Sequence, residues 1–159
     1  MKFFVEGVPA PQGSKNAFIV RRAFGDFVVV AEASKKVKPW REAVALACVE
    51  EMNRAGYMKK FLDREISFII SVRFYLPIPK RVPTGYPHHL KYPDLDKLIR
   101  STLDGITQSG CIWEDDKQVV KIEAEKSYCV PGGQTGAEIE IEACRNGLQN
   151  DLTDHALQS

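Results

Sequence analysis

From Glu65 to Leu76 the chain alternates without a break: Ile66, Phe68, Ile70, Val72, Phe74 and Leu76 fall on one parity, and Ser67, Ile69, Ser71, Arg73 and Tyr75 on the other. Side chains of an extended strand point to opposite faces at period two, so this run reads as a strand with one face in a core. Its length and its apolar content put it near the middle of a sheet. The rest of the chain has to supply neighbouring strands and a layer to cover the apolar face.

Two segments have the spacing of covering helices. One can start after Ser34 as cap, with Pro39 in the first turn, and carries Val37, Trp40, Val44, Ala47, Cys48 and Met52 before ending near Gly56. The other follows Tyr92-Pro93-Asp94 and puts Leu95, Leu98, Ile99, Thr102, Leu103 and Ile106 on one side, with Asp96, Arg100 and Asp104 along the neighbouring edge and Ser109-Gly110 as the stop. Further strands are expected at Phe3 to Val8, at Lys117 to Tyr128 with Val119 and Val120 at its core, and at Ala137 to Cys144. In the last, Ile139 and Ile141 alternate with Glu138, Glu140 and Glu142, which predicts one wet face and a position near an edge. Ala17 to Arg22 and Phe27 to Val30 flank Phe24-Gly25-Asp26 as a hairpin candidate. No repeat or linker interrupts this order, and strands grouped around two helices favour α+β: a single domain with a mixed or antiparallel sheet over residues 1–144, followed by a polar tail, 145–159.

With 159 residues, 44% of them hydrophobic, one core suffices. A formal net charge of +1 argues against a globally basic nucleic-acid binder, so a polyanion would have to be met by local patches. Candidates are Lys15, Arg21 and Arg22 at the hairpin, Lys35, Lys36, Lys38 and Arg41 at the first helix, and the basic, proline-rich loop from Pro77 to Lys91. Within that loop His88 and His89 are adjacent and read as polar loop groups. Cys48, Cys111, Cys129 and Cys144 are scattered, without zinc-site spacing, and read as isolated thiols of a reducing compartment. Charge arrives too early in Met1 to Glu6 for a signal segment, and no run reaches membrane-spanning length, so a cytoplasmic protein with no membrane partner is expected.

Asp94 and Asp96 stand two apart. On an α-helix they would point about 200° apart, so they can share a ligand only if Asp94 lies outside the helix. Pro93 holds Tyr92 extended and Asp is a favoured cap, which allows Asp94 to end a non-helical approach while Asp96 sits in the first turn. A second acidic run, Glu114-Asp115-Asp116, follows the helix. Taken singly, these acids are accounted for as a cap, a dipole-compensating residue and a solvated turn. Taken as a set, they are hard oxygen donors suited to Mg²⁺, with Mn²⁺ as the alternative, and to the chemistry of phosphoryl groups.

The segments Asp94-Leu95-Asp96-Lys97-Leu98-Ile99-Arg100, Leu103-Asp104-Gly105 and Trp113-Glu114-Asp115-Asp116-Lys117-Gln118-Val119-Val120, with Gly7-Val8-Pro9-Ala10-Pro11-Gln12 and Lys126, resemble the RusA-like Holliday-junction resolvases. The resemblance runs from the first strand to about Cys144. It implies a mixed-sheet fold and a homodimeric, Mg²⁺-dependent endodeoxyribonuclease that cuts four-way junction DNA symmetrically, in recombination and repair. It further implies that Asp94, Asp96 and Asp116 bind the metal, with Asp115 assisting or orienting the loop. Arg100 stands where the family's best-known member has a catalytically important lysine, and Lys97 where that member has asparagine. Arginine keeps the charge and engages phosphate bidentately but does not donate a proton at ordinary pH, so Arg100 is expected to stabilise phosphate or transition-state charge. Two rivals stand beside this reading: a junction-binding protein that does not cut, and a D-x-D sugar-nucleotide transferase, disfavoured because no Gly-rich phosphate loop follows a strand.

Overall fold

The computed structural model describes residues 1–13, 15–22, 24–32, 35–56, 65–78 and 92–145. In chain order these form β1 (Lys2–Glu6), β2 (Lys15–Arg22), β3 (Gly25–Glu32), α1 (Val37–Arg54), β4 (Ile66–Leu76), α2 (Leu95–Ser109), a 3₁₀ turn (Asp116–Gln118), β5 (Val119–Tyr128) and β6 (Gly136–Arg145). Residues 79–91, which include both loop histidines and most of the expected basic loop, lie outside the described residues, as do tail residues 146–159.

The alternating run forms β4, an interior strand of a four-stranded sheet ordered β1-β6-β4-β5. It pairs antiparallel with β6 and parallel with β5, so the sheet is mixed and the domain is α+β. Ile66, Phe68, Ile70, Val72, Phe74 and Leu76 are all buried, as are Val5, Ala137, Ile139 and Ile141 on the same side. Val37, Trp40, Val44, Cys48 and Met52 of α1 and Leu98, Leu103 and Ile106 of α2 complete this core.

The sheet's other face is polar. Register aligns six glutamates on it, Glu6, Glu123, Glu125, Glu138, Glu140 and Glu142, against the cations Lys2, Arg73 and Lys121. Lys2 pairs with Glu138 at 3.1 Å and Lys121 with Glu123 at 2.7 Å, and Arg73 pairs with Glu125. This face is the wet face expected of the last strand. β6 lies between β1 and β4, one strand in from the edge.

Three boundaries differ from expectation. β1 stops at Glu6 because Gly7 has φ 133°, a conformation L side chains rarely adopt, and its N–H turns to the carbonyl of Thr135. Residues 116–118 form a 3₁₀ turn, so β5 starts at Val119, and the register shifts from Phe68 opposite Val119 to Ile69 opposite Lys121. The skipped residue, Val120, is therefore 66% exposed and not a core residue. The N-cap of α1 is Lys36, and Ser34, expected to cap it, lies outside the described residues.

Polar ties fix the α1–α2 contact. The Trp40 indole donates to Thr102 at 3.2 Å, and Arg41 donates to Asp104 at 2.6 Å, which commits Arg41 of the expected phosphate patch to a protein partner. Gly105 lies against Val44 and the Arg41 carbonyl. α2 ends at Gly110, in the left-handed region with φ 62°, as its stop signal predicts. Among the described residues no helix is long and apolar enough to cross a membrane, and the four cysteines are free.

Candidate functional site

Asp94 is the N-cap of α2. Its φ and ψ of −70° and 139° are extended, and its carbonyl accepts the first helical hydrogen bond, from Leu98 N at 3.1 Å. The carboxylate, however, makes no capping bond. It meets the Lys97 ammonium at 3.1 Å instead, and this hydrogen bond, reinforced by the charge of Asp94, raises the pKa of Lys97 above its ordinary value. Asp96 stands exposed in the first turn and Arg100 exposed one turn on, so both side chains are free to meet an outside anion or cation.

Three ties from elsewhere in the fold hold this helix start. Lys126 of β5 donates to the carbonyl of Pro93 at 2.6 Å, directly before Asp94. The loop between β1 and β2 docks on α2: Gln12 N donates to the Lys97 carbonyl at 2.9 Å, and Ser101 Oγ donates to the Ala10 carbonyl at 2.6 Å. Gln12 Oε1 is buried with no hydrogen-bond partner among the described residues, an unsatisfied oxygen acceptor next to the acid-bearing turn.

The second acidic segment is anchored just as firmly. Trp113 is fully buried, with its ring centroid 5.4 Å from that of Phe68 and its N–H donating to Thr107 of α2 at 2.7 Å. Gln118, 7% exposed, donates to the Ile66 carbonyl at 2.9 Å and accepts from Glu114 N at 3.0 Å. Between these anchors, Asp115 caps the 3₁₀ turn by accepting from Lys117 N at 2.9 Å, and Asp116 opens the turn with its side chain exposed. Asp115 thus orients the loop.

The structure brings Asp94 and Asp96 to one helix start and seats the turn carrying Asp116 on α2 and β4. Among the described residues it gathers no group of three or more His, Cys, Asp or Glu side chains into one ligand set. The donors are nonetheless of the right kind: three exposed carboxylates, one of them paired with the half-exposed Lys97, which a competing cation can displace.

A family model described as Endodeoxyribonuclease RusA matches residues 9–142. The chain belongs to the RusA family. No curated protein matches it. The match opens in the loop docked on α2 and closes within β6, so it takes in both acidic segments and every tie described above.

Some of the residues that build this candidate site carry no chemical signature of their own. Gln118 is a polar residue between a charged run and Val119-Val120, which is the only hint that its side chain is consumed internally. Ser101 and Thr102 fall on the apolar stripe of α2 and are fully buried, so their hydroxyls had to find internal partners. The anchoring of Pro93 by Lys126 depends on the parallel pairing of β4 with β5, which local sequence does not encode.

Proposed function

We propose that this RusA-family protein is a Mg²⁺-dependent endodeoxyribonuclease that resolves four-way DNA junctions by symmetric phosphodiester hydrolysis. The observation that carries the reading is the anchored start of α2: Asp94, Asp96 and Arg100 stand exposed on a helix end tied down from β5 and from the β1–β2 loop, inside the matched span. Asp94, Asp96 and Asp116 would hold the ion, with Mn²⁺ an alternative of similar hardness. When bound, such an ion polarises a phosphoryl oxygen and lowers the pKa of a coordinated water.

The protein's own part is to hold and orient. Arg100, about one turn from Asp96, engages phosphate oxygens through its guanidinium fork and offsets charge that develops on the phosphoryl group. It stays cationic throughout, so it moves no proton. The buried anchors Trp113 and Gln118 keep the Asp116 turn rigid, as a site needing sub-ångström positioning requires. The active form is a homodimer, since two copies about a two-fold axis present two such sites to the two strands cut in a symmetric junction.

Incubating the purified protein with a synthetic four-way junction and Mg²⁺ tests this directly. Paired incisions at symmetry-related phosphates are expected. Tight junction binding without incision, and without a change in melting temperature on adding Mg²⁺, would establish a binding-only protein instead.

A further inference from the structure

We infer that the β2–β3 hairpin is a DNA-probing arm whose tip aromatic, Phe24, stacks on a base left without a stacking neighbour at the branch point of the substrate. The inference rests on the junction reading above and adds to it a second contact region, remote from the acids.

Phe24 is 99% exposed. A phenyl ring wholly in water contributes nothing to the core, so its position gains nothing for folding. It stands in the turn that closes β2 onto β3, two strands that among the described residues pair only with one another, as a two-stranded sheet separate from the four-stranded one. Arg21, three residues before it, is also exposed, and the register sets its backbone opposite Asp26, so one described arginine stands near the aromatic. Gly25, with φ 128°, has nothing within 4 Å of where a side chain would stand, so the tip is open on that side as well.

The root of the arm is at the candidate site. Ala10 and Gln12 are hydrogen-bonded to Ser101 and Lys97 of α2, and β2 begins at Lys15. Eight strand residues rise about 3.3 Å each, so the tip stands roughly 25 Å from a root fixed to the helix that begins at Asp94. DNA engaged at the acids is therefore within reach of the ribbon.

The chemistry of the tip selects the occupant. The exposed Arg21 near an exposed aromatic ring suits nucleic acid: the cation meets phosphate and the ring meets a base face. Inside a continuous duplex both faces of every base are already covered, so a stacking aromatic finds a surface only where the stack is interrupted. The arm thereby adds affinity for branched over linear DNA.

The test compares wild type, Phe24→Ala and Phe24→Trp in binding to a four-way junction and to a linear duplex of equal length, without Mg²⁺, and follows 2-aminopurine placed at the crossover. With stacking worth about 1–3 kcal/mol per base, Phe24→Ala should lose roughly 5- to 150-fold in junction affinity and keep its duplex affinity. Phe24→Trp should restore junction binding, and the emission change on binding should vanish only with Phe24→Ala. All three should melt together, because the ring is not buried. Junction binding by Phe24→Ala within twofold of wild type would overturn the arm while leaving the junction reading intact. Wild-type protein that fails to prefer the junction over duplex would sink both. A shift in sedimentation of Phe24→Ala toward monomer, with parallel losses on both DNAs, would show the tip to be a subunit contact and overturn the inference.

Discussion

Gly105→Ala sets two effects of opposite sign against each other at the α1–α2 contact. Within an exposed helix the change favours folding by about 1 kcal/mol, because alanine gives up less backbone freedom than glycine. At this site the added Cβ would lie 2.8 Å from Val44 Cβ, 3.0 Å from Val44 Cγ1 and 3.1 Å from the Arg41 carbonyl oxygen. Neither the Val44 Cβ nor the Arg41 carbonyl is the far end of a flexible side chain, so the contact can be relieved only by moving one helix off the other. Val44 is fully buried, and Trp40–Thr102 and Arg41–Asp104 bridge the same interface, so separation also stretches those bonds. Overpacking of this kind costs about 1–3 kcal/mol, which leaves a net destabilisation of about 1 kcal/mol, or roughly 2–4 °C for a domain of this size. Reversible thermal or urea unfolding at matched conditions reads it. A variant melting above wild type would show that propensity alone governs the site and that the helices are not in close contact there.

At the acids, Asp94→Asn, Asp96→Asn and Asp116→Asn should each abolish junction cleavage while leaving the melting temperature and junction binding largely unchanged; wild-type turnover in any of them would remove that residue from the site. Because Lys97 occupies the Asp94 carboxylate, Lys97→Met should lower the Mg²⁺ concentration needed for half-maximal cleavage by a few-fold, and an unchanged titration would show that the pair does not compete with the ion. The same pair raises the pKa of Lys97, so its contribution to stability is complete at neutral pH and is lost only as pH climbs beyond the ordinary lysine value of about 10.4; cleavage profiles below pH 9 should show no inflection from it. Gln118→Ala strips the Ile66 carbonyl and Glu114 N of their partner and should cost about 1–3 kcal/mol in urea unfolding, with a loss near zero indicating that water reaches the turn. Reversing Glu140 and Glu142 to lysine on the open sheet face should tighten non-specific duplex binding and steepen its salt dependence by a slope of about 2, whereas no change in slope would mean that DNA cannot reach that face at all.

The sequence was most legible where period and termination agree. β4 and α2 were readable nearly to the residue because each carries an uninterrupted pattern with a hard stop: proline after Leu76, the Pro93-Asp94 entry, and Gly110 in the left-handed region. Legibility failed where a long-range partner decides the outcome. Glu138, Glu140 and Glu142 alternate equally well on an edge strand and on an interior strand with a wet face, and only the pairing of β1 with β6 separates the two. Val120 reads as core by composition and is turned outward by a register shift against β4 that no local signal announces. At the candidate site the acids and Arg100 were visible in advance because their chemistry is their own. Lys126, Gln118 and Ser101 were not read as anchors, because their role is to satisfy or hold a backbone group that only the folded chain brings to them.

The near-neutral charge of the chain also takes on a different meaning once the fold is known. A net charge of +1 counts against a polyanion partner only if the charges are spread evenly, and here they are not. Glutamates outnumber cations two to one on the open face of the sheet, and its three cations are each paired with a glutamate, so that face repels phosphate at every distance where the field is felt. The acids proposed to hold the metal belong to the opposite layer, at the start of α2 and the 3₁₀ turn, where Arg100 and the root of the β2–β3 hairpin also lie. A repelling face behind the sheet disfavours unproductive binding there, without the indiscriminate affinity for duplex that a strongly basic domain would carry. Selectivity for branched DNA is then left to a few contacts placed where only a branch can satisfy them.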